Sequence, residues 1–268
     1  VTPWEASLEE LAPLEGELRR VFALYLRPPD LPDDLTPEAI AALYPPEAQA
    51  TIQAAWEAIA AQAILTAAAA QYNALDLSGS FDLANPYAAA FLAEHGAALV
   101  TEITATTRVA LATALTTYAT EGLSADQIAR AIRPFVGLHS RQAAALLAYR
   151  AEQLAEATTA RLRTAAEARI ARYAARLLRE RLTTIARTEL VTAHARGTLD
   201  SWREADRQGL LRPGARKVWL TAPGERTCDI CRPLDGVKVA LNEPFPRTGA
   251  LAPTLHPNCR CAMGLTYA

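Results

Sequence analysis

KVWLTAPGERTCDICRPLDGVKVALNEPFPRTGALAPTLHPNCRCAMGLTY, residues 217–267, is the stretch in which the chain changes character. Three runs in it read as short strands: 217–221, 236–240 and 261–267. Prolines and glycines separate them, which predicts a small antiparallel sheet. All four cysteines of the chain lie here, as Cys228-x2-Cys231, then 27 residues, then Cys259-x-Cys261, with His256 three residues before Cys259. A CxxC turn places two thiolates on one side of a tight knuckle, as a tetrahedral metal requires. Cys259 and Cys261, two apart on an extended segment, face one way with Arg260 opposite. The expected centre is a structural zinc held by Cys228, Cys231, Cys259 and Cys261, with His256 the alternate to Cys261. Three short strands bury little core, and a metal supplies the missing folding energy.

Four other readings of these thiols stand beside that one. Two disulfides would need an oxidising compartment, and no charged segment followed by an apolar one opens the chain as a secretion signal would. A redox CxxC would need a thioredoxin-like βαβ surround. A catalytic zinc would need a base, and neither Glu225 nor Asp229 sits in an H-x-E or HExxH context. Unligated buried thiols are the plainest remainder.

Upstream, residues 5–211 read almost entirely as helix. Leu8, Leu11, Leu14, Leu18, Val21 and Phe22 recur at helical spacing, and Arg27-Pro28-Pro29 stops that helix before the acidic linker PDLPDD. Thr36-Pro37-Glu38 is a helix start. A long alanine-rich helix is expected to about Tyr72, a loop over 73–86, and a helix from Asn85-Pro86 toward Thr120 with a break at Gly96. Ser124-Ala-Asp-Gln127 has the form of a capping box. Residues 142–211 are helical in two or three pieces, and Arg169, Arg172, Arg176 and Arg179 form one basic stripe there. Its plain reading is a solvated face with Glu167 and Glu180 as partners; its functional reading is contact with phosphate.

Hydrophobic residues make up 51% of 268 and charged residues 21%. That excludes a disordered chain. The longest uncharged run, AIAAQAILTAAAAQYNAL between Glu57 and Asp76, is mostly alanine and makes a poor membrane span but a good buried helix. The net charge of −2 hides an asymmetry. Residues 1–120 carry 15 acidic and 4 basic groups, a net of −11, whereas residues 121–268 carry 14 and 23, a net of +9. A basic half suits contact with nucleic acid or an acidic protein surface. The expected division is an acidic helical region over 1–120, a basic helical region over 121–211 and a metal-binding β tail over 212–268.

The tail resembles the phage Mu F-like family of phage head-morphogenesis, or minor capsid, proteins. The residues that carry the resemblance are Ala186-Arg187-Thr188-Glu189, Lys217-Val218-Trp219 with Thr221, Arg226-Thr227-Cys228-x2-Cys231, Leu234-Asp235-Gly236, Phe245 and His256-Pro-Asn-Cys-Arg-Cys261. The region Gly122-Leu-Ser-x2-Gln-Ile-Ala-x2-Ile132 is similar to the family's helical lead-in, so 121–268 together is the expected family domain. The resemblance implies a low-copy, non-enzymatic protein of a tailed-phage head, acting at the portal in head morphogenesis and DNA packaging or ejection. It implies the portal protein and other head proteins as partners, and a place in the virion after assembly in the host cytoplasm. Packaged DNA is a further expected partner, bound through phosphate without sequence reading, and no membrane is expected.

Two other functions remain open. One is a toxin-type nuclease or other effector enzyme on the same domain, using His256, Arg260 and Glu189; a cleft joining these three would favour it. The other is a zinc-stabilised DNA-binding module with salt-sensitive duplex binding. Among single residues, Trp219 is expected as a core anchor, Arg187-Thr188-Glu189 as a trio that packs its helix by hydrogen bonds, and His194 as a neutral core histidine. His95 and His139 are expected at helix boundaries, exposed or capping. Arg260 is expected to reach Asp235, Glu189 or DNA.

Overall fold

The structure is a computed structural model that describes residues 3–27, 37–221 and 228–267. The PDLPDD linker, Thr36, Glu225, Arg226 and Thr227 lie outside the described residues. The fold is mainly α with a small three-stranded antiparallel sheet at the C-terminal end. Among the described residues seven α-helices come first: α1 (Pro3–Leu26), α2 (Pro37–Ala42), α3 (Pro46–Ala74), α4 (Pro86–Thr120), α5 (Ala125–Ile132), α6 (Ser140–Ala155) and α7 (Ala160–Arg207). Strands β1 (Ala215–Leu220), β2 (Lys238–Ala240) and β3 (Ala262–Tyr267) follow, in the order β2-β1-β3. The helix stops are where proline, glycine and capping side chains put them. Asn85 Oδ1 accepts the Tyr87 and Ala88 amides at 3.0 and 3.4 Å to open α4. Gln127 Oε1 accepts the Ser124 amide at 2.8 Å to open α5.

The described chain forms two compact units, each discontinuous in sequence. One comprises residues 20–54 and 97–183. Its core takes Phe22, Leu26, Tyr44, Val100, Ile103, Leu111, Tyr118, Phe135 and Leu146, all buried. Arg181 of α7 is buried among them, with no carboxylate of the described residues in hydrogen-bond contact. It donates to Gly137 O at 2.8 Å, Thr107 Oγ1 at 2.9 Å, Thr106 Oγ1 at 3.0 Å and Ile103 O at 3.3 Å. Burial draws its guanidinium down to about 10. By length and composition α4 would suffice to cross a membrane. Its Val100, Ile103, Leu111 and Tyr118 are instead buried within this unit.

The other unit comprises residues 1–19, 55–96 and 184–268. Here the alanine content serves close packing. A Cβ added at Gly197 of α7 would lie 2.5 Å from Ile64 O of α3, so the two backbones approach closely across Ala60, Ala63, Ala67 and Ala193, all buried. Trp202 donates to Gln71 Oε1 at 3.0 Å, and Asp200 lies fully buried between Arg196 and Arg203 at 2.8 and 3.1 Å. Trp202, Ala205, Leu211 and Leu241 form a cluster against which Ala215, Met263 and Leu265 of the sheet pack.

Two local expectations are corrected. Gly96 does not break its helix: α4 runs unbroken through it, and Gly96 is buried. A glycine costs a helix about 1 kcal/mol, which packing along so long an element outweighs. His95 therefore lies inside α4 and not at a boundary. It stacks on Phe91 at 4.9 Å and faces Trp56 at 5.4 Å. His139 holds the N-cap position of α6 in extended conformation, without a side-chain capping bond.

Candidate metal centre

The register of the sheet brings the two cysteine hooks together. In the antiparallel pair of β1 and β3, Leu220 lies opposite Ala262 and Trp219 opposite Met263. The chain leaving β1 and the chain entering β3 are therefore at one end of the sheet. Cys228 and Cys231 follow the first, and Cys259 and Cys261 directly precede the second. The end of β1 is tied to Asp235, whose Oδ1 accepts the Thr221 amide at 2.9 Å and its hydroxyl at 2.8 Å. Gly236, next in the chain and ahead of β2, takes a left-handed φ of 72°. Its amide reaches Trp219 O at 2.9 Å.

Each hook is a knuckle of its own. In the first, the Cys231 and Arg232 amides turn back to Cys228 O at 3.2 and 3.0 Å, and the Cys231 amide also points at Cys228 Sγ at 3.4 Å. In the second, the Cys259 amide bonds His256 O at 3.1 Å, and Asn258 takes the left-handed region at φ 57°. His256 Nδ1 donates to Pro257 O at 2.9 Å, which fixes the tautomer and leaves Nε2 as a lone-pair donor.

That Nε2 lies 3.1 Å from Cys228 Sγ and 3.4 Å from Cys231 Sγ. Cys231 Sγ is 3.8 Å from Cys259 Sγ. The five donors form two groups, Cys228–Cys231–His256 and Cys231–Cys259–Cys261, whose ligand atoms lie within 4.8 Å of one another in each. Cys231 belongs to both. Zinc–sulfur bonds of about 2.3 Å in a tetrahedron place sulfurs roughly 3.8 Å apart, so these spacings fit a metal. All four cysteines are free thiols. The hydrogen bond from Cys261 draws the Cys259 thiol down to about 5, while the same bond and burial push Cys261 up.

The apolar surround is small. Cys231, Cys259 and Cys261 make up half of a six-residue cluster with Trp219, Leu234 and Phe245. Trp219 is fully buried and meets Phe245 edge-on at 4.9 Å, which makes it the expected core anchor. Lys217, two residues earlier on β1, shares its buried side; its ammonium donates to Leu241 O at 2.9 Å and lies over the Phe245 ring.

The remaining sequence candidates fall elsewhere. Glu189 pairs with His95 Nε2 at 2.6 Å, and Asp235 is occupied by Thr221. Arg260 is exposed. Arg187 reaches Glu15 at 3.3 Å, and Thr188 Oγ1 accepts the Asn258 amide at 3.0 Å, so all three members of the 187–189 trio bond other elements. His194 is mostly shielded from solvent, and desolvation holds it down to about 4. On the basic stripe, Arg172 and Arg179 are exposed, while Arg169 bonds Gln153. Arg176 sits 3.6 Å from Glu180 and over the Tyr173 ring at 4.9 Å.

Sequence reasoning missed two features. One is the partnership of His95 with Glu189, which no local pattern announces. The other is a set of threonines, Thr184, Thr188 and Thr192, that meets the His256 loop. Their spacing of four along one helix was a visible signal.

Among known proteins, no curated protein and no solved structure matches this chain. Residues 165–264, which run from α7 through both hooks into β3, match the family described as phage Mu protein F like protein, the family the tail resembles.

Proposed function

We propose that this chain is a minor head protein of a tailed phage, acting at the portal vertex in head morphogenesis and in DNA packaging or ejection, with a C-terminal module folded around a structural zinc. The family match over 165–264 suggests a phage head-morphogenesis protein and association with other head components. The observation that carries the zinc is that two hooks 27 residues apart form two overlapping groups of three donors, Cys228–Cys231–His256 and Cys231–Cys259–Cys261, joined at Cys231. Cys228, Cys231 and Cys259 are three ligands. The fourth comes from His256 or Cys261. The approach of His256 Nε2 to both sulfurs of the first hook supports His256. When bound, the metal supplies cross-linking and no reaction step. The chain's own residues orient the donors and exclude water through Trp219, Leu234 and Phe245.

The non-enzymatic reading rests on separation of function-bearing groups. Glu189 is committed to His95, and His256 to the cysteines. Duplex contact, where it occurs, falls to the Arg169, Arg172, Arg176 and Arg179 stripe, led by the exposed Arg172 and Arg179, and is independent of sequence. Partners are the portal and other head proteins, and the place of action is the virion after assembly in the host cytoplasm.

Metal analysis of the purified chain tests the centre. One zinc per chain is expected, lost in Cys231→Ser and His256→Ala and kept in Cys261→Ser. The reverse pattern for the last two makes Cys261 the ligand, and a metal-free wild type overturns the zinc. Co-purification with a portal ring tests the role. Failure to associate with portal or heads overturns it, and turnover of RNA or DNA lost in Glu189→Ala replaces it with the enzyme reading.

A further inference from the structure

The loop that carries His256 and Cys259 is held on both sides of the histidine by one stripe of α7. Ahead of it, Thr254 Oγ1 lies 2.7 Å from Thr192 Oγ1. The Thr192 hydroxyl already donates to Thr188 O at 2.8 Å, so its oxygen accepts and Thr254 is the donor. Behind it, the Asn258 amide donates to Thr188 Oγ1 at 3.0 Å, and Asn258 Nδ2 donates to Thr184 Oγ1 at 3.3 Å. Thr184, Thr188 and Thr192 are four apart in sequence, so they stand in one row on the helix. The left-handed conformation of Asn258 frees its amide from the knuckle and turns it to that row.

We propose that Thr184, Thr188 and Thr192 are positioning residues of the metal centre: a threonine latch that holds residues 254–258 in place before the ion arrives, so that His256 and Cys259 are presented ready-made to the first hook. This rests on the metal reading above. None of the three threonines is a ligand. Their contribution is preorganisation, since a loop ordered in advance does not have to be ordered by the metal. A metal ligand's orientation is set by the groups behind it. Here those groups lie on a helix, which holds them more rigidly than a loop would.

The test uses the full chain and zinc itself, titrated against a chelator of known affinity. Thr188→Val keeps the shape of the side chain and removes the acceptor. It is expected to weaken zinc binding roughly three- to ten-fold, the range of one lost hydrogen bond, and Thr192→Val to do the same. Thr188→Ser restores the hydroxyl and is expected to bind within about two-fold of wild type, a rescue that a purely packing role would not give. Equal zinc affinity in wild type and Thr188→Val overturns the latch. Hydrogen exchange at the Asn258 amide in metal-free protein separates this proposal from the metal reading. A wild type that takes up no zinc sinks the metal reading. Exchange no faster in Thr188→Val than in wild type sinks the latch with or without zinc.

Discussion

The unit of residues 20–54 and 97–183 and the cysteine end of the other unit both place polar atoms in the interior, by opposite means. In the first, the guanidinium of Arg181 ends on four oxygens that α4 and the turn at Gly137 already offer. Long helices supply both the aliphatic core and the acceptors, and the protein alone completes the network. In the second, a six-residue cluster is half cysteine, and its donors face one another. Strands of six, three and six residues offer too little apolar surface to close such a core. Element length accounts for the contrast: where helices are long the protein's own oxygens satisfy a buried polar group, and where strands are short the buried donors are left facing one another, spaced as a metal could use them.

Chelation carries the largest expected effect. Structural zinc contributes on the order of 10 kcal/mol of folding free energy. A strong chelator is expected to lower the near-ultraviolet circular dichroism, to which the buried Trp219 contributes, while the far-ultraviolet helical signal keeps nearly all its amplitude and the 254–258 loop stays latched to α7. Parallel loss of both signals would mean that the two regions are not independently satisfied.

Arg181→Met probes the other side. It removes the charge but leaves Gly137 O and Ile103 O buried with lost partners, and is expected to cost roughly 3–5 kcal/mol. The urea midpoint should fall while zinc content stays at the wild-type level. A shift below about 1 kcal/mol, the worth of an ordinary hydrogen bond, would show that the network is not what holds this unit.

The smallest effect sharpens the contrast between a buried cation that is accepted and one that is refused. His194, in the unit that contains the sheet, is held down to about 4 by burial. Below pH 6.5 the unfolded chain binds a proton that the folded chain declines until about pH 4. Stability therefore falls as the pH drops through that window, by at most roughly 3 kcal/mol. Glu10, 3.9 Å away and partly exposed, offsets some of this. His194→Leu should flatten urea midpoints between pH 7 and 4.5, and an unchanged slope would remove His194 as the cause.

Much of the architecture is legible in local pattern. The helix starts at Pro46, Pro86, Ala125 and Ser140, the three strands and the spacing of the five donors all follow from residues within a few positions of one another. His95 shows where that legibility ends. Gly96 beside it reads as a break, and only the packing of α4 against Trp56 and Glu189 carries the helix through and turns His95 inward.

Local pattern sets the elements and the chemistry of the tail: helical periodicity, turn residues and thiol spacing act over three or four residues, where the backbone's own geometry does the selecting. The tertiary structure alone decided which end of the sheet the hooks share, that Glu189 meets His95 at a separation of 94 residues, and that Asn258 finds Thr188 at a separation of 70. Such pairings depend on which faces are buried together and on strand register, and no local periodicity encodes either.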